Sequence, residues 1–127
     1  MTDFNFARWN KILGWLVFLI ALTTFSLTVE PTASFWDAGE YISTSSKLEV
    51  GHPPGAPLYQ MMGAAISTFA FGDTSQVALM VNLLSVISSA FTILFMFWSV
   101  VLLLLKVAGP LTEIPTSRKI AVLGVLR

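Results

Sequence analysis

Two acidic residues and the only histidine lie close together in a polar segment of this otherwise apolar chain. Asp37 and Glu40 are three residues apart, so on a helix both carboxylates would project from one face. Such a pair could combine a proton acceptor with a supporting group, or bind a divalent cation together. His52 could contact a phosphate or a sugar hydroxyl. Ionisable groups gathered in one segment of an apolar chain indicate a site of chemistry.

Each of these residues also has a purely structural interpretation. Asp37 can cap the start of a helix and Glu40 can complete a capping box, and their spacing alone favours this interpretation. Gly39 argues mildly against it, because glycine weakens a helix start and permits close approach of another group. A lone histidine is more often a structural hydrogen-bonding residue. Lys47 could attract a lipid phosphate or simply extend its ammonium group to the membrane surface.

The composition indicates an integral membrane protein. The chain has 127 residues, of which 55% are apolar and 11% charged, and its mean hydropathy is +0.78. A soluble domain usually carries about 25% charged residues, so this chain could not cover its surface with polar groups. The net charge is zero and no basic stripe occurs, which argues against a nucleic-acid partner. The absence of cysteine excludes disulfides and thiolate metal sites. The predicted fold class is all-α, a helical bundle with the lipid bilayer as its first partner.

Uncharged segments predict the membrane spans. Residues 12–29 form a run of 18 uncharged residues that reaches about 27 Å as a helix, close to the roughly 30 Å hydrocarbon core. Two further spans are predicted at 57–72, which is short, and at 77–105, which is long. Residues 119–127 resemble the start of a fourth span, so we expect the chain to be the N-terminal piece of a larger protein.

The charges that flank the spans predict their orientation. Arg8 and Lys11 precede the first span and acids follow it, which places the N-terminus in the cytoplasm. A cleaved signal peptide is the competing interpretation of that span, but the apolar region is long and no Ala-x-Ala site follows. Three crossings leave Arg118 and Lys119 outside, against the positive-inside tendency. A re-entrant second segment would place them inside. We favour three crossings, because the first helix usually dominates orientation.

Residues 30–56 are expected to form an extracytoplasmic loop with a short helix that starts near Asp37. The polar run Ser43–Ser46 should lie on the polar side of that helix. The segment His52–Gly55 must be non-helical, because each proline pushes its predecessor out of the α region. Pro57 can then open the next helix, since a proline in the first turn sacrifices no hydrogen bond.

Two features of the later helices predict contacts with protein rather than lipid. The sequence Gly63-Ala64-Ala65 gives a small-residue face that would let another helix pack closely. Asn82 and Ser85, near the start of the long apolar run, should also face protein.

Two motifs carry a resemblance to a known family. Trp36-Asp37-Ala38-Gly39-Glu40 and Gly51-His52-Pro53-Pro54-Gly55-Ala56-Pro57 resemble the N-terminal signature of the DUF2723 family, and Val81-Asn82-Leu83-Leu84-Ser85 fits its third helix. The resemblance covers roughly residues 8 to 107. Members are multi-pass proteins, abundant in bacteria, and are similar to protein O-mannosyltransferases of the eukaryotic transmembrane protein 260 type.

The resemblance implies a GT-C type glycosyltransferase in a bacterial inner membrane. Such enzymes take a polyprenyl-phosphate sugar as donor, and here the acceptor would be a Ser or Thr hydroxyl of a protein. No cofactor is firmly implied, no metal ligands are predicted, and a divalent-metal requirement stays open. The essential acidic residue of the first loop corresponds to Asp37, with Glu40 as its neighbour. The residues assigned to the donor or acceptor site are His52, Pro53, Pro54, Gly55 and Lys47.

Two other functions compete with the enzyme. In a transporter or flippase-like protein, Asp37 and Glu40 would be an ion or proton site at mid-membrane depth. Their position after the first span disfavours this function. The second alternative is a non-catalytic membrane subunit that scaffolds partners. Family members are several times longer than this chain, so we do not expect 127 residues to build a complete active site alone.

Overall fold

The computed structural model describes residues 5–34, 36–53 and 55–108. They form four α-helices: α1 (Phe6–Thr28), α2 (Ala38–Lys47), α3 (Pro57–Ser67) and α4 (Val77–Ala108). Short 3-10 helices, Thr68–Ala70 and Thr74–Gln76, lie between α3 and α4. No strand occurs in these ranges, and the all-α fold class is confirmed. The predicted start of a fourth span, residues 119–127, falls outside the described residues.

Helices α1 and α4 pack antiparallel and form the main axis of the fold. Near one end, the Trp98 indole N–H points at the Asn10 carbonyl at 3.5 Å. At the other end, the Asn82 side-chain amide donates to the Glu30 carbonyl at 2.8 Å. Midway along the interface of α1 and α4, Phe18 is buried. The apolar residues packed with it are Ala21, Leu22, Ala90, Leu94 and Trp98.

These two helices are also the membrane-spanning candidates. Within the described residues, two helical segments, Phe6–Thr28 and Thr74–Val107, are long and apolar enough to cross a bilayer. Helix α1 starts as early as Phe6 because the Asn5 side chain accepts a hydrogen bond from the Arg8 N–H at 3.0 Å and so caps the first turn. Their uninterrupted apolar character is the reason that both helices were predictable.

Helices α2 and α3 run parallel to each other. Tyr41 packs edge-on against Tyr59, with ring centroids 5.6 Å apart, and one turn further along Ser45 lies against Gly63. Parallel neighbours need a connection that returns the chain to its starting end. Residues 48–56 make that return, and they begin with Leu48 in the left-handed conformation that terminates α2.

The small-residue face of α3 is confirmed at Gly63, and its packing overturns one expectation for α2. A Cβ atom added at Gly63 would lie 2.7 Å from the Ser45 hydroxyl oxygen and 3.7 Å from a methyl of Val81, so α3 is in close contact with both α2 and α4. Thr44 and Ser45 are consequently buried. The prediction that the whole Ser43–Ser46 run lies on a polar face is wrong, because the missing side chain of Gly63 admits these small polar residues to the helix interface.

The position of α3 bears on the second predicted span. Ala56 and Tyr59 border a groove that also contacts Phe25 and Thr28 at the C-terminal end of α1. Helix α3 has 11 residues, which is about 16 Å, and the chain then turns into α4 at this same end of the α1–α4 pair. Both ends of residues 57–72 therefore lie at this end of the α1–α4 pair. Within the described residues this segment is not among the helices long and apolar enough to cross a bilayer, and the third crossing stays a prediction.

Candidate functional site

The structure joins Glu40 of α2 to His52 of the return segment. One carboxylate oxygen, Oε1, accepts the His52 backbone N–H at 2.7 Å. The other, Oε2, lies 2.7 Å from the imidazole Nδ1. Gly51 permits this approach, because a Cβ atom there would lie 3.0 Å from Oε1. Both oxygens of Glu40 are thus committed to one residue that is twelve positions away in the sequence.

This contact shifts the proton affinity of both side chains. The hydrogen bond from the His52 backbone, followed by the one from its side chain, lowers the pKa of Glu40 below its ordinary 4.5. The hydrogen bond to Glu40 and then the negative charge of Glu40 raise the pKa of His52 above its ordinary 6.5, with a smaller contribution from Asp37. Glu40 is therefore ionised and His52 is protonated between these ordinary values.

The same shifts predict how the pair stabilises the fold with pH. Folding raises the pKa of His52, so its contribution is fully present below pH 6.5 and is lost as pH rises through the raised pKa. Folding lowers the pKa of Glu40, so its contribution is present above pH 4.5 and is lost as pH falls through the lowered pKa. Both side chains are substantially exposed, at 37% for Glu40 and 54% for His52, so solvent screens the pair.

The pair also fixes the orientation of the imidazole. An ionised carboxylate can only accept, so the Nδ1 of His52 must carry the hydrogen directed at Glu40. The other ring nitrogen, Nε2, is then the atom that can meet a ligand. When His52 is protonated, Nε2–H is a charged donor, which suits a phosphate oxygen.

Asp37 stands at the N-cap position of α2 but does not act as a side-chain cap. Its backbone carbonyl accepts the Tyr41 N–H at 3.0 Å, while its carboxylate makes no capping hydrogen bond within the described part of the chain. The capping-box interpretation is therefore wrong, because Glu40 turns to His52 instead of to the start of its own helix. Asp37 stays in electrostatic range of the pair, since its charge contributes to the raised pKa of His52.

The other predicted site residues are placed differently. The His52 carbonyl accepts the Gly55 N–H at 2.9 Å, which closes a turn containing Pro53, and Gly55 has the positive φ of 71° that favours glycine. Pro54 falls outside the described residues. Lys47 ends α2 and is seven residues beyond Glu40, about 10 Å along the helix, so the structure does not bring it to the pair.

A groove of about 630 Å³ lies beside the first turn of α2. Sequence reasoning did not assign Tyr41 and Tyr59 to a site, yet both border this groove. The signal for them was their presence on two short helices that flank the polar loop. Asn82 and Ser85 also line the groove, and Asn82 contacts protein as predicted, through the carbonyls of Glu30 and Thr32. The remaining lining residues are Phe25, Thr28, Val29, Glu30, Ser34, Ala38, Ile42, Ala56, Val86 and Ser89.

The site offers charge but no assembled metal-ligand set. Within residues 5–34, 36–53 and 55–108, no three His, Cys, Asp or Glu side chains cluster as metal ligands. Because Glu40 is held by His52, it is also poorly placed to share a cation with Asp37. The arrangement provides one oriented imidazole, its bound carboxylate and a nearby second carboxylate.

The fold and this pair define an all-α membrane protein with a polar site at one end of its helical bundle. Residues 37–126 match the family model described as the protein O-mannosyl-transferase TMEM260 N-terminal domain, and the chain belongs to this family. The chain is similar to protein O-mannosyl-transferase tmem260 of Dictyostelium discoideum, with 31% identity over 87 residues, 68% of this chain and 11% of that protein. It is also similar to protein O-mannosyl-transferase TMEM260 of Mus musculus, with 35% identity over 85 residues, 66% of this chain and 12% of that protein. The chain thus spans about a tenth of the length of these curated relatives. No solved structure matches it.

Proposed function

We propose that this chain is the first part of a GT-C type membrane glycosyltransferase that moves a sugar from a polyprenyl-phosphate donor to Ser or Thr hydroxyls of an acceptor protein. The family and its two named relatives support the sugar-transfer class. The observation that carries the proposal for this chain is the Glu40–His52 pair, which orients the imidazole and raises the pKa of His52, with a smaller contribution from Asp37.

His52 supplies the recognition of the donor phosphate. With Nδ1 bound to Glu40, its Nε2–H donates to a phosphate oxygen and its positive charge offsets the phosphate charge. The same contact stabilises the leaving group, because negative charge accumulates on the phosphate as the sugar departs. Glu40 is a positioning residue in this scheme, since both of its oxygens are bound to His52.

Asp37 is the other carboxylate of the Asp37-x-x-Glu40 motif and takes the role of base. It accepts the proton of the acceptor hydroxyl while the hydroxyl oxygen bonds to the anomeric carbon. The bond from that carbon to the phosphate oxygen breaks, and its electron pair leaves with the lipid phosphate, which needs little protonation. A single displacement of this kind inverts the anomeric configuration.

We propose further that the chain crosses a bacterial inner membrane twice within the described residues. Helix α1 leads out, α2 and α3 stay on the outer side, and α4 returns, because both ends of the 30–76 segment meet the same end of the α1–α4 pair. Lys106, in the last turn of α4, then lies on the cytoplasmic side with Arg8 and Lys11, in agreement with the positive-inside tendency.

Labelling of single cysteines tests this topology, since the chain has no natural cysteine. A membrane-impermeant maleimide applied to intact spheroplasts should label S46C directly and V107C only after permeabilisation. Three crossings would instead expose V107C to the outside, and direct labelling of that variant would refute the two-crossing arrangement.

Transfer assays on the full-length protein test the site. D37N should abolish transfer, whereas E40Q and H52A should weaken use of the lipid-linked donor. E49Q is the matched control, because it neutralises another carboxylate of the same loop. Unchanged transfer with D37N would refute the assignment of Asp37 as the base. Unchanged transfer in all three variants would favour a scaffolding subunit.

A further inference from the structure

A buried glutamine lies directly under the Glu40–His52 pair. Gln60, on α3, is only 8% exposed, and its side-chain amide donates to the Thr44 hydroxyl of α2 at 3.1 Å. Thr44 is 7% exposed, and its hydroxyl donates in turn to the Glu40 backbone carbonyl at 2.8 Å. A continuous chain of hydrogen bonds therefore runs from α3 to the residue that binds His52.

This buried polar contact is an unusual choice for the interface of α2 and α3. The same face of α3 continues with the small residues Gly63 and Ala64, which let backbones approach without any polar group. A buried amide costs free energy unless it is hydrogen-bonded, and it makes the geometry of its partners specific. Gln60 therefore fixes the register between α2 and α3 in a way that apolar packing would not.

Gly51 connects this contact to the pair itself. A Cβ atom on Gly51 would lie 3.0 Å from Glu40 Oε1 and 3.1 Å from Gln60 Nε2. The return segment thus passes against the carboxylate and the amide together, and the next residue is the one whose N–H reaches Oε1 at 2.7 Å. A side chain at position 51, or a displaced amide at position 60, would therefore disturb the contact between Glu40 and the return segment.

We propose that Gln60 is a positioning residue for the Glu40–His52 pair, acting through Thr44 on α2 and through close contact with Gly51 on the return segment. Its role is to hold the Glu40 carboxylate at the distance at which both oxygens engage His52. The inference rests on the proposed function in one respect, namely that the Glu40–His52 pair binds the sugar donor.

The single histidine of the chain makes the test direct. The chain is labelled with ¹⁵N-histidine, placed in lipid nanodiscs and titrated by NMR, so that one imidazole reports the pKa of His52. Q60M keeps the length of the side chain and removes the amide, and T44V removes the hydroxyl. Both should shift the pKa of His52 down toward 6.5, whereas T44S should keep the wild-type pKa.

Controls separate positioning from general loosening of the fold. S67A removes a hydroxyl on α3 that, in the described part of the chain, bonds within its own helix to the Ala64 carbonyl, so the pKa of His52 should not move. If Q60M loses helical circular dichroism, T44V decides the question, because it removes the hydroxyl that links Gln60 to the Glu40 carbonyl while leaving the Gln60 side chain unchanged. A wild-type pKa in the folded variants would overturn the proposal.

Transfer assays on the same substitutions in the full-length protein keep the two proposals distinguishable. A lowered His52 pKa with unchanged transfer would uphold the positioning role of Gln60 and refute the role of the pair in donor binding. An unchanged pKa with lost transfer would refute the positioning role.

Discussion

Replacing Gly63 with alanine tests the close packing that places α2 on α3. The new Cβ atom would lie 2.8 Å from the Cβ of Ser45, about 0.6 Å closer than the 3.4 Å at which ordinary contact begins. A rotamer change of Ser45 moves its hydroxyl but not its Cβ, which is fixed to the backbone of α2. The two helices must therefore separate, because Val81 of α4 backs the same position at 3.7 Å.

The size of the effect follows from two opposing terms. Overpacking a close interface costs about 1–3 kcal/mol. Alanine is the better helix former at Gly63 by about 1 kcal/mol, which offsets part of that cost. We therefore expect G63A to lower the free energy of unfolding by about 0–2 kcal/mol, a range that a single variant could not interpret.

A double-mutant cycle with S45G isolates the packing term. S45G removes the obstructing atoms, and the helix-propensity terms of both changes cancel in the cycle. The coupling should be favourable by about 1–3 kcal/mol, so that G63A is tolerated or stabilising in the S45G background. Unfolding in mixed micelles with increasing SDS, followed by circular dichroism, measures the four proteins. Additivity within about 0.5 kcal/mol would refute the close contact of α2 and α3.

Three further predictions concern the pair and the helix seam. The difference in free energy of unfolding between wild type and E40Q should be greatest between pH 4.5 and 6.5. It should shrink above the raised pKa of His52 and below the lowered pKa of Glu40. A difference that is constant with pH would contradict the ion pair. N82A removes both hydrogen bonds to the carbonyls of Glu30 and Thr32, which follow α1. It should lower the free energy of unfolding in SDS by about 1–3 kcal/mol. No loss would show that these hydrogen bonds do not stabilise this end of the α1–α4 interface. G14A places a Cβ atom 2.5 Å from the Trp98 indole nitrogen. The overpacking cost, less the better helix propensity of alanine, should lower the free energy of unfolding by about 0–2 kcal/mol. W98L should remove this cost, and an equal cost in that background would rule out the steric cause.

Local sequence features were sufficient to predict several elements. The apolar runs of α1 and α4 predict long helices because no charge or proline interrupts them. Pro57 opens α3 as expected, because a proline in the first turn needs no hydrogen-bond donor. Gly63 predicts close helix packing from its size alone, although the sequence does not say which helix it meets. The site motif Asp37-x-x-Glu40 indicated a polar site and the helix start that follows it.

The partner of each site residue depended on the tertiary structure. A carboxylate at Glu40 can bond back to its own helix start or across to another segment, and the two choices are equivalent in spacing. The structure selects His52 because α2 and α3 run parallel, which forces the return segment to pass beside the first turn of α2.

The sequence by itself determined that this is an all-α membrane protein with its ionisable groups concentrated after the first apolar helix, because hydropathy, charge and proline act locally. Only the tertiary structure decided that Glu40 binds His52, that Asp37 is not a side-chain cap in the described part of the chain, and that both ends of residues 57–72 lie at one end of the α1–α4 pair. These outcomes depend on contacts between residues distant in the chain, such as Asn82 with Glu30 and Ser45 with Gly63, and helix periodicity contains no information about such distances.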